Sequence, residues 1–323
     1  MIHGIINVYK EKGFTSHDVV AKLRGIVGQK KIGHTGTLDP DATGVLPVCL
    51  GKATKLCDLL TDKNKTYEAV LLLGKTTDTQ DITGEVLEEK STEALTEEKV
   101  REAIEGFIGD YEQIPPMYSA LKVNGKKLYE LAREGKVIER KTRPVKILDI
   151  QILEIDLPKV RMEVSCSKGT YIRTLCHDIG EKLGCGGCME SLIRTRVSTF
   201  RIEDAKMLDE IETLKQEGKL AELLVPIDAM FPSYPKITVK DDWKAFAKNG
   251  NPLDLKMLKE ACGQDEETQV RLYDESGKFI AIYQWKEKKY HIVKMFFNEK
   301  TRKKRLCSIS ESLRNITETE GQQ

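Results

Sequence analysis

The chain is 323 residues long, room for about two domains at the usual roughly 100–200 residues each. It is 40% hydrophobic and 32% charged, enough apolar content for a core and too much charge for a bilayer protein. Its longest unbroken apolar run, residues 69–73, is far short of the ~20 residues a spanning helix needs. Residues 1–9 run directly into Lys10-Glu11-Lys12, so no secretory leader is expected and a cytoplasmic protein is.

In chain order, residues 4–9 read as a short strand. Ser16 is a candidate helix N-cap, with Val19, Val20, Leu23, Ile26 and Val27 marking one apolar helical face. A glycine- and proline-punctuated loop follows at residues 33–44. Lys65–Leu73 alternates, with Tyr67, Ala69, Leu71 and Leu73 on one side, and predicts a strand. Val100, Ala103, Ile104, Phe107 and Ile108 keep helical spacing after Thr96. Two further strands are predicted at 145–155 and 160–166, then a helix carrying Ile172, Leu175, Ile179 and Leu183 that stops at Gly184. Residues 209–224 read as a charged helical stretch. Pro226, Pro232 and Pro235 then mark a domain boundary, placed at 235/236. Residues 236–298 hold a helical segment and strand-like runs at Gln269–Tyr273, 279–285 and 290–296, enough for a small β-rich domain. Residues 299–323, with the basic run Lys300-Thr-Arg-Lys-Lys-Arg305, form a polar tail expected to be mobile.

Globally, 52 basic residues meet 51 acidic ones, which says nothing about an anionic partner. Locally the balance swings. Residues 78–112 hold twelve acids against three bases, and residues 114–147 nine bases against three acids. Such asymmetry suits either a nucleic-acid face beside an acidic one or two solvated surfaces. The eight cysteines lack regular spacing and read as free thiols in a reducing compartment. Cys185-Gly-Gly-Cys188 has no partner pair at zinc-ligand spacing, so a plain loop is expected and no metal.

The densest chemistry lies in Gly33-His-Thr-Gly-Thr-Leu-Asp-Pro-Asp-Ala-Thr-Gly44. Pro40 pushes the backbone of Asp39 away from helix, which fixes the direction of its carboxylate. The flanking glycines let a bulky ligand approach the backbone. A simple Asx turn, with Asp39 bonding its own backbone, fits the same residues.

This segment closely resembles the signature of the TruB family of pseudouridine synthases. Lys65-Thr-Tyr67, Thr77-Asp-Thr-Gln-Asp81, Ile114-Pro-Pro-Met-Tyr-Ser-Ala-Leu-Lys-Val-Asn-Gly125, Ser165-Cys-Ser-Lys-Gly-Thr-Tyr-Ile-Arg-Thr174 and Ser191-Leu-Ile-Arg-Thr195 resemble the family's other blocks, in the family's order. The resemblance covers about residues 2–235 and loosens beyond. It implies an α+β fold: a central mixed, mainly antiparallel sheet flanked by helices (1–235), a gripping insertion at 114–143, and a small β-rich PUA-like domain at 236–298. It implies that uridine 55 of the tRNA T loop becomes pseudouridine without a cofactor, since the isomerisation gains and loses no atoms; nothing in the sequence calls for more than a monomer.

Residue by residue, the resemblance makes Asp39 the nucleophile, already ionised at neutral pH if its pKa is unperturbed. Arg173 would grip it bidentately. Tyr67 would stack on the everted uracil, Tyr171 would lie by the sugar, His34 would fill the vacated space in the RNA, and Leu192 would line the pocket. Lys122 and Lys126 would contact phosphates. Alone, Tyr67 and Leu192 would read as core residues. Tyr171 and Arg173 would diverge by about 200° in a helix, so the helix is expected to begin after about Arg173. Two other readings stay open: a non-catalytic RNA-binding or folding factor, and a guide-RNA-dependent enzyme of ribosomal RNA. The intact set Asp39, Tyr67, Tyr171 and Arg173 argues against the first, and the brief tail against the second.

Overall fold

A computed structural model describes residues 1–297 and divides the chain into two compact units, Met1–Leu224 and a second beginning at Val225. The tail at 299–323, with its basic run and Cys307, lies outside the described residues. The division falls eleven residues before the expected 235/236. The proline-rich stretch belongs with the second unit because Tyr273 donates to Asp228 (2.6 Å) and Arg271 to the Tyr234 carbonyl (2.8 Å).

The first unit is built on a mixed sheet. In spatial order its strands are Gly4–Lys10, Thr43–Leu50, Gly187–Val197, Lys65–Leu73, Lys159–Cys166, Arg143–Asp156 and Gly109–Gln113. Ile32–His34 adds to Thr43–Leu50, and Phe200–Arg201 to Gly187–Val197. Every pairing is antiparallel except Thr43–Leu50 with Gly187–Val197. The alternation in Lys65–Leu73 is obeyed: Tyr67, Ala69, Leu71 and Leu73 face a core shared with the helices Glu97–Glu105 and Ile172–Lys182. Leu71 is fully buried there, so Leu71→Ala removes ~3 kcal/mol of transfer and packing free energy. A second cluster joins Gly4–Lys10 and Thr43–Leu50 to the helices Ser16–Val27 and Leu208–Gln216.

Thr15, rather than the expected Ser16, caps Ser16–Val27. Thr15 Oγ1 accepts from Asp18 N while Asp18 accepts from Thr15 N, a reciprocal box. With the cap supplied by its neighbour, Ser16 reaches into the following loop instead, where its buried hydroxyl accepts from Leu38 N at 2.9 Å. Gly28 ends the helix at φ +66°, a conformation that favours glycine.

The second unit is a five-stranded sheet in the order Leu258–Glu260, Lys236–Val239, Gln269–Tyr273, Phe279–Lys286, Lys289–Met295. The buried Tyr283 and Tyr290 hydroxyls are satisfied by the carbonyls of Ala247, Asn251 and Cys262. Among the described residues no helix is long and apolar enough to cross a membrane.

Candidate active site

Asp39 sits where the 33–44 loop is held from three sides. Ser16 fixes the amide of Leu38, and Gly13 N donates to the Pro40 carbonyl at 3.0 Å. Lys10, fully buried, directs its ammonium donors to the carbonyls of Glu11 (3.1 Å), Pro40 (2.9 Å) and Ala42 (2.6 Å). Its burial pulls its pKa down to about 8. Ala42 N closes a turn onto the Asp39 carbonyl at 3.1 Å. That turn uses the main chain of Asp39 and leaves its carboxylate unengaged by it. The carboxylate points to Arg173, whose Nε lies 3.0 Å from Oδ2.

The grip is single rather than bidentate, because the other arms of the guanidinium are committed. Arg173 Nη1 donates to the Thr79 carbonyl (3.0 Å) and pairs with Asp81 Oδ2 (3.5 Å), and Nη2 donates to the Tyr118 carbonyl (2.9 Å). The arginine is 6% exposed and the aspartate 44%, so the carboxylate is the open end of the pair. Protein nonetheless packs around it closely enough to strip part of its hydration. That burial raises its pKa above 3.8, Arg173 opposes the rise, and Asp81 adds to it. The unperturbed carboxylate expected from sequence is thus corrected upward.

Arg173 also stands in the first turn of a helix that begins at Ile172, earlier than expected. Tyr171 and Arg173 escape the helical divergence because Tyr171 is the N-cap, still extended at φ −100°, ψ 109°. Gln113, 1% exposed, holds Tyr171 in place: its Oε1 accepts from Tyr171 N (2.8 Å) and its Nε2 donates to Tyr171 O (3.0 Å). Burial raises the Tyr171 pKa, which disfavours it as a base and keeps its proton available for donation.

Tyr67 is 8% exposed and lies in register with Arg194 on the adjacent strand, while Leu192, equally buried, lies opposite Ala69. Burial raises the Tyr67 phenol to about 12, and the charge of Asp39 contributes to the rise at both tyrosines. His34 packs edge-on to His17, with centroids 5.2 Å apart. Burial and the neighbouring His17 and Arg194 lower its pKa, so it is neutral at pH 7. Lys122 and Lys126 stand apart, on a small hairpin where Lys122 faces Lys127 and Val123 faces Lys126. Lys126 pairs with Glu134 at 3.5 Å. Among the described residues neither lysine bonds to the Asp39 group, and no cluster of His, Cys, Asp or Glu is placed to hold a metal ion.

Lys10, Ser16, Asp81, Gln113 and Arg194 were not assigned from sequence. Lys10 and Arg194 do not stand out locally, since Lys10 opens a Lys-Glu-Lys run and Arg194 shares its strand with Glu190, Ser191, Thr195 and Arg196. Ser16 and Gln113 do not either, since their partners lie 22 and 58 positions away.

Comparison with known proteins bears directly on this constellation. Residues 24–172 match the profile described as TruB family pseudouridylate synthase (N terminal domain), and residues 173–232 the tRNA pseudouridylate synthase B C-terminal domain. A protein of Lachnoclostridium phytofermentans named tRNA pseudouridine synthase B is 58% identical, over 91% of this chain and all of its own length. The chain belongs to the TruB family of pseudouridine synthases. The Bacillus pumilus protein of the same name is 44% identical over 91% of this chain and 96% of its own. A solved Cbf5-Nop10-Gar1 complex supplies a structural relative at 28% identity and TM-score 0.67, covering 92% of this chain and 86% of that one. The TruB fold thus accounts for the mixed sheet and flanking helices. In this TruB member the loop between the strands Ile32–His34 and Thr43–Leu50 delivers the carboxylate, and the start of Ile172–Lys182 delivers the guanidinium.

Proposed function

We propose that the protein converts uridine 55 in the T loop of tRNA to pseudouridine, with Asp39 as the nucleophile. The reading rests on family membership and on one observation above all: a partly exposed carboxylate is held at 3.0 Å by a buried arginine. The reaction breaks the ribose C1′–uracil N1 bond, turns the base, and joins C1′ to C5. C5 loses a proton and N1 gains one, so atoms and electrons balance without a co-reactant. An anionic oxygen that adds to the nucleoside and later leaves splits this exchange into easier steps. Arg173 holds that oxygen in line and favours its charged form. Tyr67 supplies a flat face for an everted base, and Tyr171 a hydroxyl beside the sugar. His34, neutral, occupies the gap left in the RNA, and Leu192 closes the pocket wall.

The hairpin bearing Lys122 and Lys126 belongs to the insertion at 114–143, which we assign to phosphate contacts along the T arm. The second unit is assigned as a PUA-like RNA-binding domain, and the enzyme as a cytoplasmic monomer. Incubating the purified protein alone with an unmodified tRNA transcript, then mapping pseudouridine, tests the reading. Product confined to position 55 supports it. Tight binding without product favours an RNA-folding factor, and product only with a guide RNA favours a ribosomal-RNA enzyme.

A further inference from the structure

Arg194 is among the largest fully buried side chains, at 1% exposure, yet among the described residues it has no carboxylate within ion-pair distance. Its charged neighbours are cations instead: Lys10 and Lys65 each feel its positive charge. Such an arrangement is costly for a packing role, since an apolar side chain of similar volume would fill the space without burying a charge. Its contacts explain what the charge is for. Nε donates to the Val45 carbonyl at 2.7 Å and Nη2 to the Gly36 carbonyl at 3.2 Å, one at each end of the segment that carries Asp39. On the neighbouring strand Tyr67 is its cross-strand register partner, and the charge of the guanidinium is felt at the phenol.

The backbone reinforces the arrangement. Arg194 is the register partner of Tyr67 on one side and of Gly44 on the other. At Gly44 (φ +102°) a Cβ would stand 2.3 Å from the Arg194 carbonyl oxygen, so only glycine lets the loop lie this close.

Resting on the reading given above, we propose that Arg194 is a positioning residue for the isomerisation. One planar fork ties the stacking ring of Tyr67 to both ends of the Asp39 loop, so base and nucleophile keep a fixed separation. Lysine keeps the charge but not the fork, and cannot serve both carbonyls in these directions while lying beside Tyr67.

The test compares wild type, Arg194→Lys, Arg194→Met, Tyr67→Phe and the Arg194→Lys/Tyr67→Phe double variant. Each is assayed on an unmodified tRNA transcript for Kd, single-turnover rate and Tm. The expected result for Arg194→Lys is a Kd within about twofold of wild type and a rate lower by on the order of tenfold to a hundredfold, the penalty of small misplacements. In the Tyr67→Phe background the lysine substitution costs several-fold less, because part of its effect passes through the phenol. A near-wild-type rate, a loss confined to Kd, or full multiplicativity in the double variant overturns the proposal. Should Arg194→Met fail to fold, the lysine and phenylalanine variants still decide. An inactive wild type would instead sink the proposed function, so the two failures are distinguishable.

Discussion

Arg173 stands between two carboxylates, with Nε 3.0 Å from Asp39 Oδ2 and Nη1 3.5 Å from Asp81 Oδ2. Asp81, the more buried of the two acids, anchors the guanidinium, and Asp39, the more open, is left to face a ligand. The loop carbonyls of Thr79 and Tyr118 complete the anchor, so one arginine joins three distant chain segments at the site.

Removing that arginine moves the pH dependence in a defined direction. Burial raises the Asp39 pKa and Arg173 lowers it, so Arg173→Met lets it rise further. In the proposed role Asp39 must be ionised, hence the acid limb of kcat/KM is expected to shift to higher pH in the variant. The pH-independent rate also falls, by on the order of a hundredfold, through lost orientation. A pH profile on a tRNA transcript checks both. An acid limb that stays put or moves down contradicts the pairing.

The same raised pKa bears on stability. A carboxyl whose folded-state pKa exceeds its unfolded value stabilises the fold below that unfolded value, and the contribution is lost as pH rises through the folded one. At pH 7 an ionised Asp39 therefore weakens the native state, a strain common at active sites. Asp39→Asn is expected to melt at or above the wild-type Tm at pH 7. A clear drop in a thermal melt would contradict this.

Lys10 has a larger structural role. Lys10→Met takes a donor from the carbonyls of Glu11, Pro40 and Ala42, of which Pro40 keeps Gly13 N, and is expected to destabilise the protein by about 2–3 kcal/mol. The Lys10 pKa falls from 10.5 to about 8, so between those values the unfolded chain binds more protons. Wild-type stability relative to Lys10→Met should therefore grow as pH rises from 8 towards 10.5. Denaturant melts of both proteins across that window read the difference, and a shrinking gap contradicts the assignment.

Much of this was legible in the sequence. The alternation of Lys65–Leu73, the helix after Thr96 and the stop at Gly184 all rest on local periodicity and turn chemistry, and each element is present. Family resemblance supplied Asp39 and Arg173, and the structure pairs them. What escaped was long-range polar bonding. Nothing near Ser16 announces that its hydroxyl serves Leu38 rather than its own helix, and nothing near Gln113 announces Tyr171. The expected bidentate grip failed for the same reason, since the competing acceptors Thr79 and Tyr118 lie 94 and 55 positions from Arg173.

The basic hairpin predicts a salt signature. Lys122→Ala should weaken tRNA binding and lower the slope of log Kd against log salt by about 0.7–0.9 per lost phosphate contact, with the single-turnover rate at saturation unchanged. Lys126→Ala should do less, because Lys126 already shares its charge with Glu134. Binding titrations at several salt concentrations measure this; an unchanged slope in both variants would remove the hairpin from the interface.

The most direct measurement is pseudouridine formation by Asp39→Asn on an unmodified tRNA transcript, beside its affinity for that transcript. Asparagine keeps the shape and loses the charge. The account predicts near-wild-type binding and no detectable product under conditions where the wild type converts the whole sample. Substantial product from the variant would show that the carboxylate gripped by Arg173 is not the nucleophile.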